Sequence, residues 1–248
     1  MSVTDQFRHR DRNGKKMLDK IKIIYSWFLA IGRRPVLIRY FVPLIVSLAF
    51  RKNTPARLSD VPWITFDCTR WLDKRLSNDL KVFEYGSGGS TLYFSKKTGQ
   101  VVSVEHDDKW FARVAEALKQ NNIDNCDQRL VKPVLRENVR EDLADDPDNY
   151  LSSSPDYAAY DFENYCRSID QFPDRSFDII FIDGRARPSC IKHSLRKVKS
   201  GGCMILDNSE REHYQKGIKL MDGWQRTDFY GPSPNNLLFS QTSVFCAS

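Results

Sequence analysis

The sequence predicts an α/β domain built on a doubly wound, mostly parallel sheet, and three observations predict it. From residue 63 onward, helix-like and strand-like stretches alternate. The strand-like stretches, Phe177–Ile182 (FDIIFI) above all, are almost continuously apolar, as in strands covered on both faces. A glycine-rich turn, Gly86-Ser87-Gly88-Gly89, follows one such stretch and opens a helix.

The elements follow in order. Ile64, Cys68, Trp71, Leu72 and Leu76 fall on one helical stripe. Lys81–Tyr85 (KVFEY) reads as a strand, residues 90–97 as a short helix and 101–104 as a second strand ending at Glu105. Trp110, Phe111, Val114 and Leu118 define the next helix face, and residues 129–134 form a weaker third strand. After Phe177–Ile182, a helix stripe runs through Ile191, Leu195 and Val198; Gly201-Gly202 punctuates, and residues 203–206 are again strand. A helix near 212–221 precedes two β-like runs, around 224–229 and 237–246. Residues 136–175 break the rhythm, being too long for a plain connection. This insert is acidic and carries Tyr150, Tyr157, Tyr160, Phe162 and Tyr165, which form either its own small core or a lid over a substrate.

Charge is unevenly placed. The net charge is +6 over 248 residues, yet residues 1–58 hold 13 Lys and Arg against 3 Asp and Glu, leaving the rest net acidic. Two apolar stretches, 21–31 and 36–50, lie in this basic segment, and neither offers the ~18–20 uninterrupted apolar residues of a spanning helix. Residues 1–60 therefore read as a helical segment that either caps the domain or lies on an anionic membrane surface through residues 15–57, with residues 61–248 the main domain. No cleavable signal pattern is evident. None of the six cysteines (68, 126, 166, 190, 203, 246) forms a CxxC pair, so reduced, mostly buried thiols in a cytoplasmic protein, at most at the inner membrane surface, are expected.

The chemistry is carried by motifs at strand ends. Glycines after the first strand permit close backbone approach to a ligand, and the following helix N-terminus suits an anionic group. Glu105, 19 residues after Gly86, is placed to accept ribose hydroxyls. A nicotinamide-binding turn usually has glycine or alanine where Thr91 stands, and an apolar residue where Glu84 stands. Glu84 suits an ammonium group, and Ser90 and Thr91 a carboxylate, which together with adenosine match S-adenosylmethionine (SAM).

FEYGSGGST, SVEHD, FDIIFIDGRAR and SGGCMILDNSER, in that order, resemble the motif set of class I SAM-dependent methyltransferases, particularly bacterial members sharing DGRAR and LDNSER. The resemblance covers about residues 63–248. It implies a Rossmann-like seven-stranded sheet whose last strand pair is antiparallel, and a cofactor site of Glu84, Gly86, Ser87, Gly88, Gly89, Ser90, Thr91, Glu105, His106 and Asp183. The pattern Asp183, Asp207, Asn208 is similar to the Mg²⁺ ligands of catechol and macrocin O-methyltransferases, although the lysine base of the catechol enzymes is absent and Ala186 stands three residues after Asp183. The alternative is that Asp183 and Asp207 bond loop amides or pair with Arg185. Asp183 and His213 are the candidate catalytic groups; His193 lies off the helix stripe and reads as a surface histidine. Arg185, Arg187 and Arg211 either bind an anionic substrate or pair with the acidic insert.

The implied activity is O-methylation of a small-molecule or glycan hydroxyl. The alternatives are an NAD-dependent oxidoreductase on the same kind of sheet and a non-enzymatic membrane-associated scaffold. Nucleic acid is not an expected substrate, because the main domain is acidic and has no Asn-Pro-Pro-Tyr-type base-flipping motif.

Overall fold

A computed structural model describes residues 38, 58, 60–136, 144–234 and 236–248, without the side chains of 236–238. The expectations for the basic N-terminal segment, its domain boundary and its membrane contact lie outside the described residues. Among the described residues, no helix is long and apolar enough to cross a membrane.

Seven strands form one sheet: β1 (Lys81–Tyr85), β2 (Gln100–Glu105), β3 (Cys126–Leu130), β4 (Phe177–Ile182), β5 (Val198–Asp207), β6 (Gln225–Ser233) and β7 (Asn236–Cys246). Their order is β3-β2-β1-β4-β5-β7-β6. The first five strands run parallel, and β7 enters antiparallel to both β5 and β6. This is the Rossmann-like arrangement that the resemblance implied.

Both faces of the sheet are buried because successive side chains point to opposite sides. Val82, Val101, Ile179, Phe181 and Ile205 pack under helix α1 (Phe66–Asp73) and helix α2 (Gly89–Ser95). Helix α3 (Asp108–Gln120) adds Val114 and Leu118 beside Leu92. On the other face, Phe83, Tyr85, Ile180, Ile182, Met204 and Leu206 pack with helix α4 (Glu163–Cys166), helix α5 (Arg187–Ser194) and helix α6 (Gln215–Lys219).

Four expectations are corrected. The third strand covers Cys126–Leu130, earlier than 129–134; Pro133 has no N–H to continue the ladder, and Val134–Leu135 pairs instead with Tyr160–Asp161 in a separate two-stranded sheet. Val198 begins β5, pairing with Phe177, and does not extend the helix of Ile191. The aromatics of the insert make no core of their own: Phe162, Tyr165, Cys166 and Ile169 belong to the same buried cluster as Phe83 and Phe177. Finally, Cys203 and Cys246 are joined by a disulfide, while Cys68, Cys126, Cys166 and Cys190 are free. Strand pairing sets those two residues directly opposite each other on β5 and β7, which a sequence separation of 43 does not reveal.

Candidate functional site

The strand order reverses between β1 and β4, and the loops leaving the carboxyl ends of these two strands diverge into a crevice. Gly86 follows β1 with φ +94°, and its N–H donates to Val104 O at 2.8 Å. A Cβ on Gly86 would stand 2.9 Å from the backbone of Gly184, so the loops after β1 and β4 touch there through backbone alone.

Glu105, at the end of β2, holds the turn. Its Oε2 accepts from Ser87 N at 3.0 Å; its Oε1 accepts from His106 N and Asp107 N at 2.8 and 2.9 Å. A carboxylate offers about four acceptor sites, so Glu105 keeps acceptor capacity, on Oε2, toward the crevice that it lines. Asp107 caps α3 by accepting from Trp110 N at 2.8 Å, and this positions the Trp110 indole to donate to Ser87 O at 2.6 Å. The ring of His106 lies edge-on to Tyr157, Phe162 and Tyr165, with its Nδ1 2.8 Å from Glu105 Oε1.

The resulting cleft has a volume of about 500 Å³. Of the expected cofactor residues, Gly86, Ser87, Gly88, Gly89, Ser90, Glu105, His106 and Asp183 line it. Glu84 and Thr91 do not. Glu84 is wholly buried beneath the turn, where its carboxylate accepts from Ser90 Oγ, from Thr91 Oγ1 at 2.5 Å and from Ser103 Oγ at 2.5 Å. Burial outweighs these three bonds and pushes its pKa up to about 7. Thr91 Oγ1 in turn accepts from Gly88 N at 2.8 Å, so the pair supports the turn from below instead of facing a ligand. The sequence reading missed Trp63, Asp107 and Trp110 as lining residues, whereas Tyr157, one of the insert aromatics read as a small core or a lid, also lines the cleft. The two residues on α3 had a local signal, an Asp–x–x–Trp cap following Glu105; Trp63 and Tyr157 arrive by long-range packing.

A second cavity of about 360 Å³ adjoins the first, sharing Gly184, Arg185 and Arg187 as walls, and His213 and Arg211 line it. His213 Nε2 is 3.0 Å from Ser153 Oγ. Partial burial, then Arg211 and Arg187, hold the imidazole below its ordinary pKa. His193 is not solvated as expected: Asp170 binds its Nδ1 at 2.9 Å and Tyr150 Oη lies 3.2 Å from its Nε2, away from both cavities.

The residues do not fit Mg²⁺. Arg187, nearly buried, donates to Asp183 Oδ1 at 2.8 Å, to Asp183 O and Gly184 O at 3.1 Å, and to Asp207 O. A guanidinium thus stands against Asp183 where a dication would be needed. Asp207, 4% exposed, accepts from Thr242 Oγ1 at 2.9 Å, and burial raises its pKa to about 7. Asn208 takes a left-handed conformation at φ +53°. Among the described residues, no group of three His, Cys, Asp or Glu side chains converges on a metal position. The partner of Asp183 is Arg187, not Arg185.

No family model matches the chain, and no curated protein matches its sequence. Solved structures match its shape. A candidate O-methyltransferase from Klebsiella pneumoniae is 16% identical, with 89% of this chain and 94% of that one covered and a TM-score of 0.52. The O-methyltransferase TomG from Streptomyces achromogenes, involved in tomaymycin synthesis and in complex with SAM, is 11% identical, with 69% and 74% covered and a TM-score of 0.50. At these identities the likeness is one of fold, and the fold of this chain is the one these two proteins carry.

Proposed function

We propose that the chain is a SAM-dependent methyltransferase acting on a hydroxyl of a small molecule or glycan. The observation that supports this best is the cleft framed by the Gly86–Gly89 backbone and the Glu105 carboxylate, which continues past Asp183 into a second cavity. Its floor suits the cofactor: glycine backbone where a Cβ would meet Gly184, an α2 N-terminus with Ser90 at the wall, and a buried carboxylate with acceptor capacity left. TomG, whose fold this chain shares, is in complex with SAM, which supports assigning that ligand to the crevice of this chain.

When bound, SAM supplies an electrophilic methyl group on a sulfonium sulfur. The work of the protein is to bind, orient and deprotonate. Glu105 accepts from a ribose hydroxyl. The N–H groups of Gly86, Ser87 and Gly88 are donated to Val104, Glu105 and Thr91, so the Gly89 N–H would hold the carboxylate of the amino-acid end, and Ser90 Oγ, whose proton goes to Glu84, would accept from its ammonium. Trp63, Trp110 and Tyr157 flank the cleft with aromatic surface. His213, its pKa held below the ordinary value, would take the proton as the acceptor oxygen bonds to the methyl carbon and the carbon–sulfur bond breaks with its electron pair going to sulfur, and Asp183, fixed by Arg187, would orient the acceptor hydroxyl.

Isothermal titration calorimetry tests the reading. The chain is expected to bind S-adenosylhomocysteine saturably and NAD not at all, and Gly86→Val and Glu105→Ala are expected to weaken that binding by about tenfold or more, as loss of a buried polar partner does. NAD binding without S-adenosylhomocysteine binding would replace it with an oxidoreductase.

A further inference from the structure

The walls of the second cavity are unusual in charge. Arg185, Arg187, Arg211 and His213 contribute to them together with Ser152 and Ser153, and among the described residues no Asp or Glu side chain lines them. Arg187 is buried and Arg185 half-buried, and such cations are ordinarily paired, whereas Arg211 stands exposed at the rim of the cavity. Arg187 is satisfied by Asp183 and by three backbone carbonyls. Arg185 lies over the Tyr157 ring at 4.9 Å with its Nε 3.4 Å from His106 Nε2, neither of which neutralises it. Arg211 is not within ion-pair distance of any carboxylate among the described residues, and four acidic side chains of the insert pair elsewhere: Asp145 with Lys216, Asp148 with Lys192, Asp161 with Arg136, Asp170 with His193. Among the described residues, two guanidinium groups therefore face, without a carboxylate partner, a polar cavity that opens onto the donor cleft.

We propose that this cavity binds the methyl acceptor by an anionic group, a carboxylate or a phosphate, held by Arg185 and Arg211, with Ser152 and Ser153 supplying further hydrogen bonds. This rests on the methyltransferase reading and narrows its substrate class. The geometry of guanidinium groups suits both anions, because each presents paired oxygens to a planar fork of N–H donors. An anion so placed leaves the neutral hydroxyl of the same molecule as the group presented to His213 and the donor cleft. Arg185, shared by both cavities, sits where the two ligands meet.

The test uses the full chain, with and without saturating S-adenosylhomocysteine, titrated calorimetrically with inorganic phosphate and with citrate at constant ionic strength. Saturable binding of at least one anion is expected, and the anion preferred identifies the group. Arg211→Gln, at an exposed position where folding is not at stake, should weaken it about tenfold or more, and Arg211→Lys should restore part of the loss. S-adenosylhomocysteine titration of the same variants checks the donor cleft. No saturable binding of either anion, or equal binding by Arg211→Gln, overturns the proposal even when S-adenosylhomocysteine binds. Loss of S-adenosylhomocysteine binding by the wild-type chain is the separate failure of the methyltransferase reading.

Discussion

Glu84 ends one residue short of the glycine turn with its carboxylate wholly buried, and the hydroxyls that donate to it come from three places: Ser90 and Thr91 on α2 and Ser103 on β2. It ties strand, turn and helix together. The motif itself was legible in the sequence, but the direction of the side chain was not, because a strand residue faces one side or the other only once its sheet neighbours are fixed. Burial raises its pKa from the ordinary 4.5 to about 7. A carboxyl whose pKa rises on folding binds protons more tightly in the native state, so its contribution is fully present below about pH 4.5 and is lost as pH rises toward 7. Glu84→Gln keeps the hydrogen-bonding outline without the titration. Compared with the wild type, this variant should therefore gain up to about 3 kcal/mol of stability between pH 4.5 and pH 7. Urea unfolding of both proteins at the two pH values reads this directly; parallel pH dependences would mean that folding leaves the Glu84 pKa unshifted.

Elements differ in how much of themselves they announce. β4 is visible as FDIIFI because a strand covered on both faces is apolar at nearly every position, and it lies at Phe177–Ile182 as read. β3, at the sheet edge, alternates charged and half-buried residues and leaves a weak pattern. The insert is harder still. Its aromatic residues suggest a core but not which one, since their partners are some 80 residues away: Tyr85 Oη donates to Cys166 O at 2.6 Å, and the rings of Tyr85 and Tyr165 lie 5.5 Å apart. α4 is only four residues long and is held by this packing instead of by its own helix propensity. Tyr165 carries the expense of that arrangement, because its hydroxyl is buried without a hydrogen-bond partner and stands where a Cβ on Gly184 would be. A buried unsatisfied hydroxyl costs roughly 1–3 kcal/mol. Tyr165→Phe should thus raise stability by about 1 kcal/mol, a melting-temperature increase of about 2–4 °C for a domain of this size. Tyr165→Ala should lower stability by about 3–5 kcal/mol through the cavity it leaves. A falling melting temperature in Tyr165→Phe would show that the hydroxyl has a partner in solution.

At the scale of the molecule, the site follows from topology. The sheet grows outward in both directions from the β1–β4 pair, so the loops after these two strands separate and leave one crevice at the carboxyl edge. Hence the glycine turn after β1, Glu105 ending β2 and Asp183 after β4, three signals far apart in sequence, meet in one cleft. Each was legible because each lies at a strand end, where chain geometry concentrates ligand contacts. Trp63 was not, and Tyr157 only as part of a core or a lid, because one precedes α1 and the other lies in the insert, and only the folded chain brings them over the cleft. The disulfide between Cys203 and Cys246 shows the same limit, as antiparallel register is a property of the assembled sheet. A cleft built from so many separate elements couples ligand binding to global stability: a ligand bound by the native state alone stabilises it by about 2.7 kcal/mol at one hundred times its Kd. For this chain that corresponds to a melting-temperature increase of about 5–10 °C with S-adenosylhomocysteine. Glu105→Ala, with binding weakened about tenfold or more, should cut the increase to about half or less at the same ligand concentration, and should also lower the ligand-free melting temperature, because the buried Ser87 N–H loses its acceptor. An undiminished increase in Glu105→Ala would place the ligand elsewhere on the sheet edge.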